Sequence, residues 1–76
     1  MNDTKVTALD LMTTAEVSEY LKTAEATLRY WRHRNEGPKA FRLGGKRVMY
    51  RRQDVDAWLM EQINAERDDR DKLVAL

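Results

Sequence analysis

The chain has 76 residues, with 14 Lys and Arg against 13 Asp and Glu and a formal net charge of +1. This length allows one small domain and leaves little room for a buried catalytic pocket beside a core. There is no cysteine and one histidine, which excludes disulfides, thiolate metal sites and His clusters, so no metal or cofactor is predicted. No apolar run approaches the roughly 20 residues of a membrane span. The charged, cysteine-free composition favours the cytoplasm.

The positive charge is concentrated in one part of the chain. Residues 29–52, here called the basic block, hold nine basic residues and one acid, Glu36, and carry +8, whereas the rest of the chain carries −7. The nine basic residues are Arg29, Arg32, Arg34, Lys39, Arg42, Lys46, Arg47, Arg51 and Arg52. A cationic block between two anionic segments predicts binding to a polyanion, most simply nucleic acid.

The first helix is indicated by a capping pattern near the N-terminus. Residues 1–10 are polar and are interpreted as a flexible arm. Thr13 and Glu16 match a capping box, in which each side chain bonds the other residue's backbone N–H. Apolar residues at helical spacing follow, which predicts a helix over about 14–22. The two apolar residues before the cap are expected to pack back onto this helix.

A second helix follows after a very short connection. Thr23 is the predicted N-cap of a helix over about 24–34, which ends before Gly37-Pro38. Its predicted inner face consists of Ala24, Leu28 and Trp31. Two short helices joined by a tight turn are typical of a helix-turn-helix.

The outward face of the second helix is the first candidate site. Its members are Ala26, Thr27, Arg29, Tyr30, Arg32, His33 and Arg34. Arg can fork onto guanine, Thr or Ala can touch a thymine methyl, and Tyr and His can bond phosphate in the major groove. The alternative is a solvated basic face with no specific contact. For His33 the sequence places no Ser, Cys or carboxylate partner, so no catalytic role and no enzyme activity is predicted.

A β-hairpin is the second candidate site. Period-two patterning over 40–43 and 47–51 flanks a glycine turn, which predicts a two-stranded hairpin. Its candidate DNA contacts are Arg42, Gly44, Gly45, Lys46 and Arg47. Cations at the tip of a narrow ribbon can follow a phosphate backbone or reach the minor groove. In the alternative interpretation, the glycines serve turn geometry alone and the flanking cations only aid solubility.

The third helix is predicted to open at Gln53-Asp54, with acids in its first turn. Its predicted buried stripe consists of Val55, Trp58, Leu59, Gln62 and Ile63. Residues 65–76 form a mixed-charge segment that either extends the helix and pairs with another subunit or is a disordered tail. The remaining cations, Lys39, Arg51 and Arg52, are weaker candidates for contact with the DNA backbone.

The ordered motifs from Leu11 to Leu59 resemble the excisionase-like, MerR-like winged helix-turn-helix family. The matching features are Leu11, Thr13, Glu16, Val17, Leu21, Thr23, Thr27, Leu28, Trp31, Gly37-Pro38, Leu43-Gly44-Gly45-Lys46-Arg47, Tyr50-Arg51-Arg52 and Asp54-Val55-Asp56-Ala57-Trp58-Leu59. The resemblance implies a mainly α fold over 11–64, with three helices and a two-stranded β wing. It places the second helix in the major groove and the wing on the adjacent minor groove or backbone.

The same resemblance sets the functional expectation. Members include phage excisionases, also called recombination directionality factors, which bend attachment-site DNA and direct an integrase towards excision. We therefore expect a non-catalytic duplex DNA-binding and bending protein, with an integrase as partner and cooperative self-association on tandem sites. One alternative is a small phage-type transcriptional regulator using the same surface. Another, of a different class, is a protein-interaction module acting through the C-terminal helix.

Overall fold

The computed structural model describes the backbone of residues 10–75 and the side chains of residues 10–67, so most of the predicted N-terminal arm lies outside the described residues. Its elements in chain order are β1 (Leu11–Thr13), α1 (Thr14–Leu21), α2 (Glu25–His33), β2 (Phe41–Leu43), β3 (Arg47–Arg51) and α3 (Arg52–Ala75). Three helices and a β-hairpin wing, formed by β2 and β3, confirm the predicted fold class. The sheet has one strand more than predicted.

The additional strand, β1, makes β3 the centre of an antiparallel sheet of order β1-β3-β2. In the pairing of β1 with β3, Met12 lies opposite Tyr50. In the pairing of β2 with β3, Arg42 lies opposite Val48. Directly opposed residues share a face of the sheet, and so do Val48 and Tyr50, which are two positions apart in β3. All four side chains therefore lie on the same face of the sheet. The sequence predicted that the residues before α1 would pack onto that helix but did not predict their pairing, since three residues are too few to show a strand period.

The capping box of α1 is confirmed. The hydroxyl of Thr13 accepts a hydrogen bond from the backbone N–H of Glu16 at 3.1 Å, and the Glu16 carboxylate accepts one from the Thr13 N–H at 2.8 Å. Two of the backbone donors that a helix start leaves unpaired are thereby satisfied. The start of α1 is therefore fixed one residue after β1.

The N-cap of α2 is Ala24, and the prediction of Thr23 was wrong. Lys22 adopts a left-handed conformation, and the N–H of Thr23 donates to the carbonyl of Ser18 at 2.9 Å, which closes the end of α1. The Thr23 hydroxyl donates to the carbonyl of Leu21 at 3.0 Å instead of capping α2. Both hydrogen bonds of Thr23 therefore serve the end of the first helix and not the start of the second.

The core is small and lies between the helices and one face of the sheet. Its buried cluster consists of Met12, Val17, Leu28, Tyr50 and Val55. Half-buried Trp31 of α2 packs on Trp58 of α3, with ring centroids 5.2 Å apart. Ala24, predicted to face inward, is exposed. α2 is therefore held by Leu28 and Trp31.

The distal part of α3 extends beyond the domain. The helix is continuous to Ala75, and every side chain over 60–67 is exposed. The predicted buried stripe was therefore wrong at Gln62 and at Ile63, which is 40% exposed, because the domain beneath them has ended. No helix in the described part of the chain combines the length and apolar character needed to cross a membrane.

Gly37 is expected to be the glycine least tolerant of substitution. Its φ is +79°, and an added Cβ would lie 2.9 Å from the Trp31 ring. Gly37→Ala should lower the free energy of unfolding by about 2 kcal/mol, through left-handed strain and displacement of the ring. Urea denaturation measures the change. Gly45→Ala is the matched control, since its φ is +74° but a Cβ there meets nothing within 4 Å. Equal losses for the two variants would contradict a role for the Trp31 contact.

Candidate nucleic-acid interface

One side of α2 is a continuous exposed surface. The structure places five of the predicted contact residues there, namely Ala26, Arg29, Tyr30, His33 and Arg34. The guanidinium of Arg34 lies 5.6 Å from the Tyr30 ring centroid, which holds both side chains on the helix surface. Thr27 is half-buried at the edge of this face. The helix therefore offers a basic and aromatic surface to a partner.

The wing ends in a tight turn. Gly44 and Gly45 have φ of +65° and +74°, values that glycine adopts without the strain a Cβ would add. The N–H of Lys46 donates to the carbonyl of Leu43 at 3.2 Å and closes the turn. Lys46 is exposed, as are its neighbours Arg42 and Arg47. The predicted hairpin is confirmed, and it presents cations at and near its tip.

An open cleft of ≈ 620 Å³ separates α2 from the wing. Its basic lining comes from both sides, with Arg29, Arg32 and His33 on α2, Lys39 on the segment leading into the wing and Arg42 on strand β2 of the wing. Glu36 is the one acid in the lining. A cleft with this charge attracts an anion, and its position links the two candidate surfaces into one.

Ion pairing divides the basic block into two groups. Four arginines lie within 4.0 Å of an acid: Arg29 pairs with Glu25 at 3.6 Å, Arg34 with Glu36 at 3.4 Å, Arg51 with Asp54 at 3.0 Å and Arg52 with Asp10 at 2.7 Å. Among the residues whose side chains are described, the other five have no acid at that distance, namely Arg32, Lys39, Arg42, Lys46 and Arg47. All five line the cleft or lie on the wing. The charge that is free to meet a polyanion is therefore concentrated there.

Arg51 and Arg52 serve the fold at the start of α3. The hydrogen bond to Asp54 raises the pKa of Arg51, and the hydrogen bond to Asp10 raises the pKa of Arg52. Neither residue lines the cleft. Arg52 also lies 4.8 Å from the Tyr20 ring centroid. These contacts tie α3 to β3, to the residue before β1 and to α1, so both arginines lie apart from the cleft-lining cations.

Arg32 is held by two residues that the sequence did not mark as functional. Its Nη1 donates to the hydroxyl of Tyr50 at 2.9 Å and to the hydroxyl of Thr14 at 3.4 Å. Tyr50 is 1% exposed, whereas Arg32 is half-buried at the cleft. Thr14 precedes Arg32 by 18 positions and Tyr50 follows it by 18, so no local sequence pattern could reveal these two contacts.

A protein-family model described as a helix-turn-helix domain matches residues 11–63. This span runs from β1 through α1, α2 and the wing into α3. The chain is a member of this family. The family includes excisionase-like DNA-binding proteins, and membership identifies the chain as a helix-turn-helix DNA-binding protein, which implies a non-enzymatic role. No curated protein and no solved structure matches the chain.

Proposed function

We propose that the chain is a sequence-specific protein that binds and bends duplex DNA as an excisionase, directing an integrase towards excision. The observation that carries the binding mode is the set of five basic residues, free of acid partners among the described side chains, between α2 and the wing tip. Such a set suits the phosphate backbone that separates two adjacent grooves.

The dimensions of the two elements suit the two grooves. An α-helix with its side chains is about 10–12 Å across, which fits the major groove of about 12 Å. The wing tip is a turn of three residues, Gly44 to Lys46, and is narrow enough for the minor groove or its edge. With α2 in one groove and the wing at the next, the cleft receives the strand between them. Simultaneous contact with both grooves favours DNA bent towards the protein, because bending permits additional contacts.

The excisionase role rests on this binding mode and on the family, which includes excisionase-like proteins. A factor that bends attachment-site DNA brings separated integrase sites together. In this role the protein acts on DNA in the cytoplasm of a bacterial cell. The runner-up, a transcriptional regulator, uses the same surface and differs in the location of its sites.

A footprint of candidate attachment-site DNA, with and without an integrase, tests the role. We expect protected sites beside those of the integrase, and stronger integrase protection when both proteins are present. Binding that leaves integrase protection unchanged would contradict the excisionase role and favour the regulator.

Self-association on tandem sites is part of the same proposal. The cleft and wing are basic, whereas a separate depression has a slight excess of acids, with Asp10, Glu16 and Glu19 beside Lys22 and Arg52. Contact between two unlike surfaces of neighbouring copies generates an open row rather than a closed dimer. In the footprint series, a fragment with several repeats should fill at lower protein concentration than a fragment with one. Equal affinity for both fragments argues against the row.

One observation favours a protein-interaction role as a second candidate. Met60 is 51% exposed and Ile63 is 40% exposed on the part of α3 that extends beyond the domain. Neighbouring exposed apolar side chains on one helix are suited to contact with another protein. In this alternative the basic block contributes solubility alone, and the chain shows no salt-dependent binding to duplex DNA at all.

A further inference from the structure

We infer that Arg32 is a preoriented clamp for one DNA backbone phosphate, held in position by Tyr50 and Thr14. The inference rests on the proposed binding mode and adds two residues to it that do not touch DNA. It starts from the hydrogen bonds of Arg32 Nη1 to the Tyr50 hydroxyl at 2.9 Å and to the Thr14 hydroxyl at 3.4 Å.

Arg32 combines a fixed side chain with an uncompensated charge. Both of its partners are neutral hydroxyls, and no acid lies within 4.0 Å of it in the part of the chain with described side chains. Arg29, by contrast, has Glu25 at 3.6 Å, and that acid must be displaced or shared when Arg29 contacts DNA. An anion site needs a side chain whose movement is restricted and whose positive charge is not neutralised by an acid.

The free edge of the Arg32 guanidinium suits a phosphate. A guanidinium carries five N–H donors in a planar fork. The two hydroxyls engage Nη1, and Nε and Nη2 make no hydrogen bond to any residue in the described region. Two parallel donors of this kind match two oxygens of a phosphate. Arg32 lines the cleft, and no side-chain nitrogen in the described region is buried without a hydrogen-bond partner, so this edge is accessible to a DNA strand there.

Tyr50 anchors the Arg32 side chain to the core. Its side chain is 1% exposed and packs in the buried cluster on the central strand. A buried hydroxyl needs a hydrogen-bond partner, and Arg32 supplies it. Thr14 contributes from the first residue of α1. The clamp therefore joins α1, α2 and β3, and it fixes where the phosphate sits relative to α2.

The experiment measures affinity for the specific site and for random duplex DNA over a salt series. Arg32→Ala should weaken both about 10-fold and reduce the slope of log affinity against log salt by about one. Tyr50→Phe keeps the charge, so the slope should stay unchanged while affinity falls about 3-fold through loss of orientation. Arg32→Lys should also keep the slope and lose affinity, because an ammonium lacks the fork.

A double variant separates a positioning role of Tyr50 from a merely structural one. If Tyr50 acts through Arg32, then Tyr50→Phe should not change DNA affinity in the Arg32→Ala background. The double variant also removes the buried hydroxyl that Arg32→Ala alone leaves without its partner. If the single variant unfolds, the double variant is compared with Tyr50→Phe, and its salt slope should be smaller by about one. Arg67→Ala is the charge control, because Arg67 is exposed on α3 and should leave affinity unchanged.

Two outcomes would overturn the clamp. One is wild-type affinity and slope for Arg32→Ala, and the other is an equal loss from Tyr50→Phe in both backgrounds. If the wild-type chain itself bound no duplex DNA, the proposed function would fail instead. The two failures are therefore distinguishable.

Discussion

Raising the salt concentration from about 50 to about 200 mM is expected to weaken binding to duplex DNA about 10³-fold. Five basic residues in the cleft and wing have no acid partner among the described side chains. Arg34 adds a sixth, because its exposed pair with Glu36 is weak enough to exchange for a phosphate. About six phosphate contacts give a slope of log affinity against log salt near −5, which corresponds to a loss of about that size.

The salt series also separates the two classes of function. Lys46→Ala combined with Arg47→Ala should reduce the slope by about two, since it removes two wing cations. The absence of any salt-dependent binding to duplex DNA would contradict the proposed interface and favour a protein partner on α3, where Met60 and Ile63 are exposed. The matched control is Arg67→Ala, which removes a charge outside the cleft and should leave the slope unchanged.

Local signals made much of the fold predictable. The capping box lies within four residues, and the hairpin turn lies within three, so the sequence alone contained the interactions that define them. The strand β1 was not predictable in this way, because it exists only through pairing with β3, almost 40 residues later. The burial predicted for the end of α3 was wrong because a local apolar pattern was present but the tertiary packing was not. Its apolar spacing is helical, but the domain that would bury Ile63 ends first.

The sequence predicted where the candidate site lies in the chain, but not which of its cations are paired with acids. Counting charges identified residues 29–52 but treated all nine cations alike. Tertiary pairing separates them, since Arg52 meets an acid 42 residues away, and Arg32 meets neutral hydroxyls 18 residues away. A sequence pattern cannot show which charges the fold neutralises. Among the described side chains, the cations of the basic block that have no acid partner are those of the cleft and the wing.

Specific recognition is expected to depend on Arg29. Arg29 lies on the exposed side of α2, where its guanidinium can form two hydrogen bonds to one guanine in the major groove. We expect Arg29→Ala to reduce affinity for the specific site roughly 10- to 100-fold, the range for losing one such contact. Affinity for random DNA should fall much less. Parallel titrations of the two duplexes at one salt concentration measure the difference.

Two further substitutions make the test of Arg29 sharper. Lys46→Ala and Arg47→Ala, on the wing, should weaken specific and random binding alike, because contacts to phosphate carry no sequence information. Glu25→Gln keeps the side-chain shape but removes the charge that holds Arg29 at 3.6 Å, so the variant should bind the specific site at least as tightly as the wild type. An equal loss on both duplexes from Arg29→Ala would reassign that residue to a phosphate. Base recognition would then have to come from the uncharged side chains of α2.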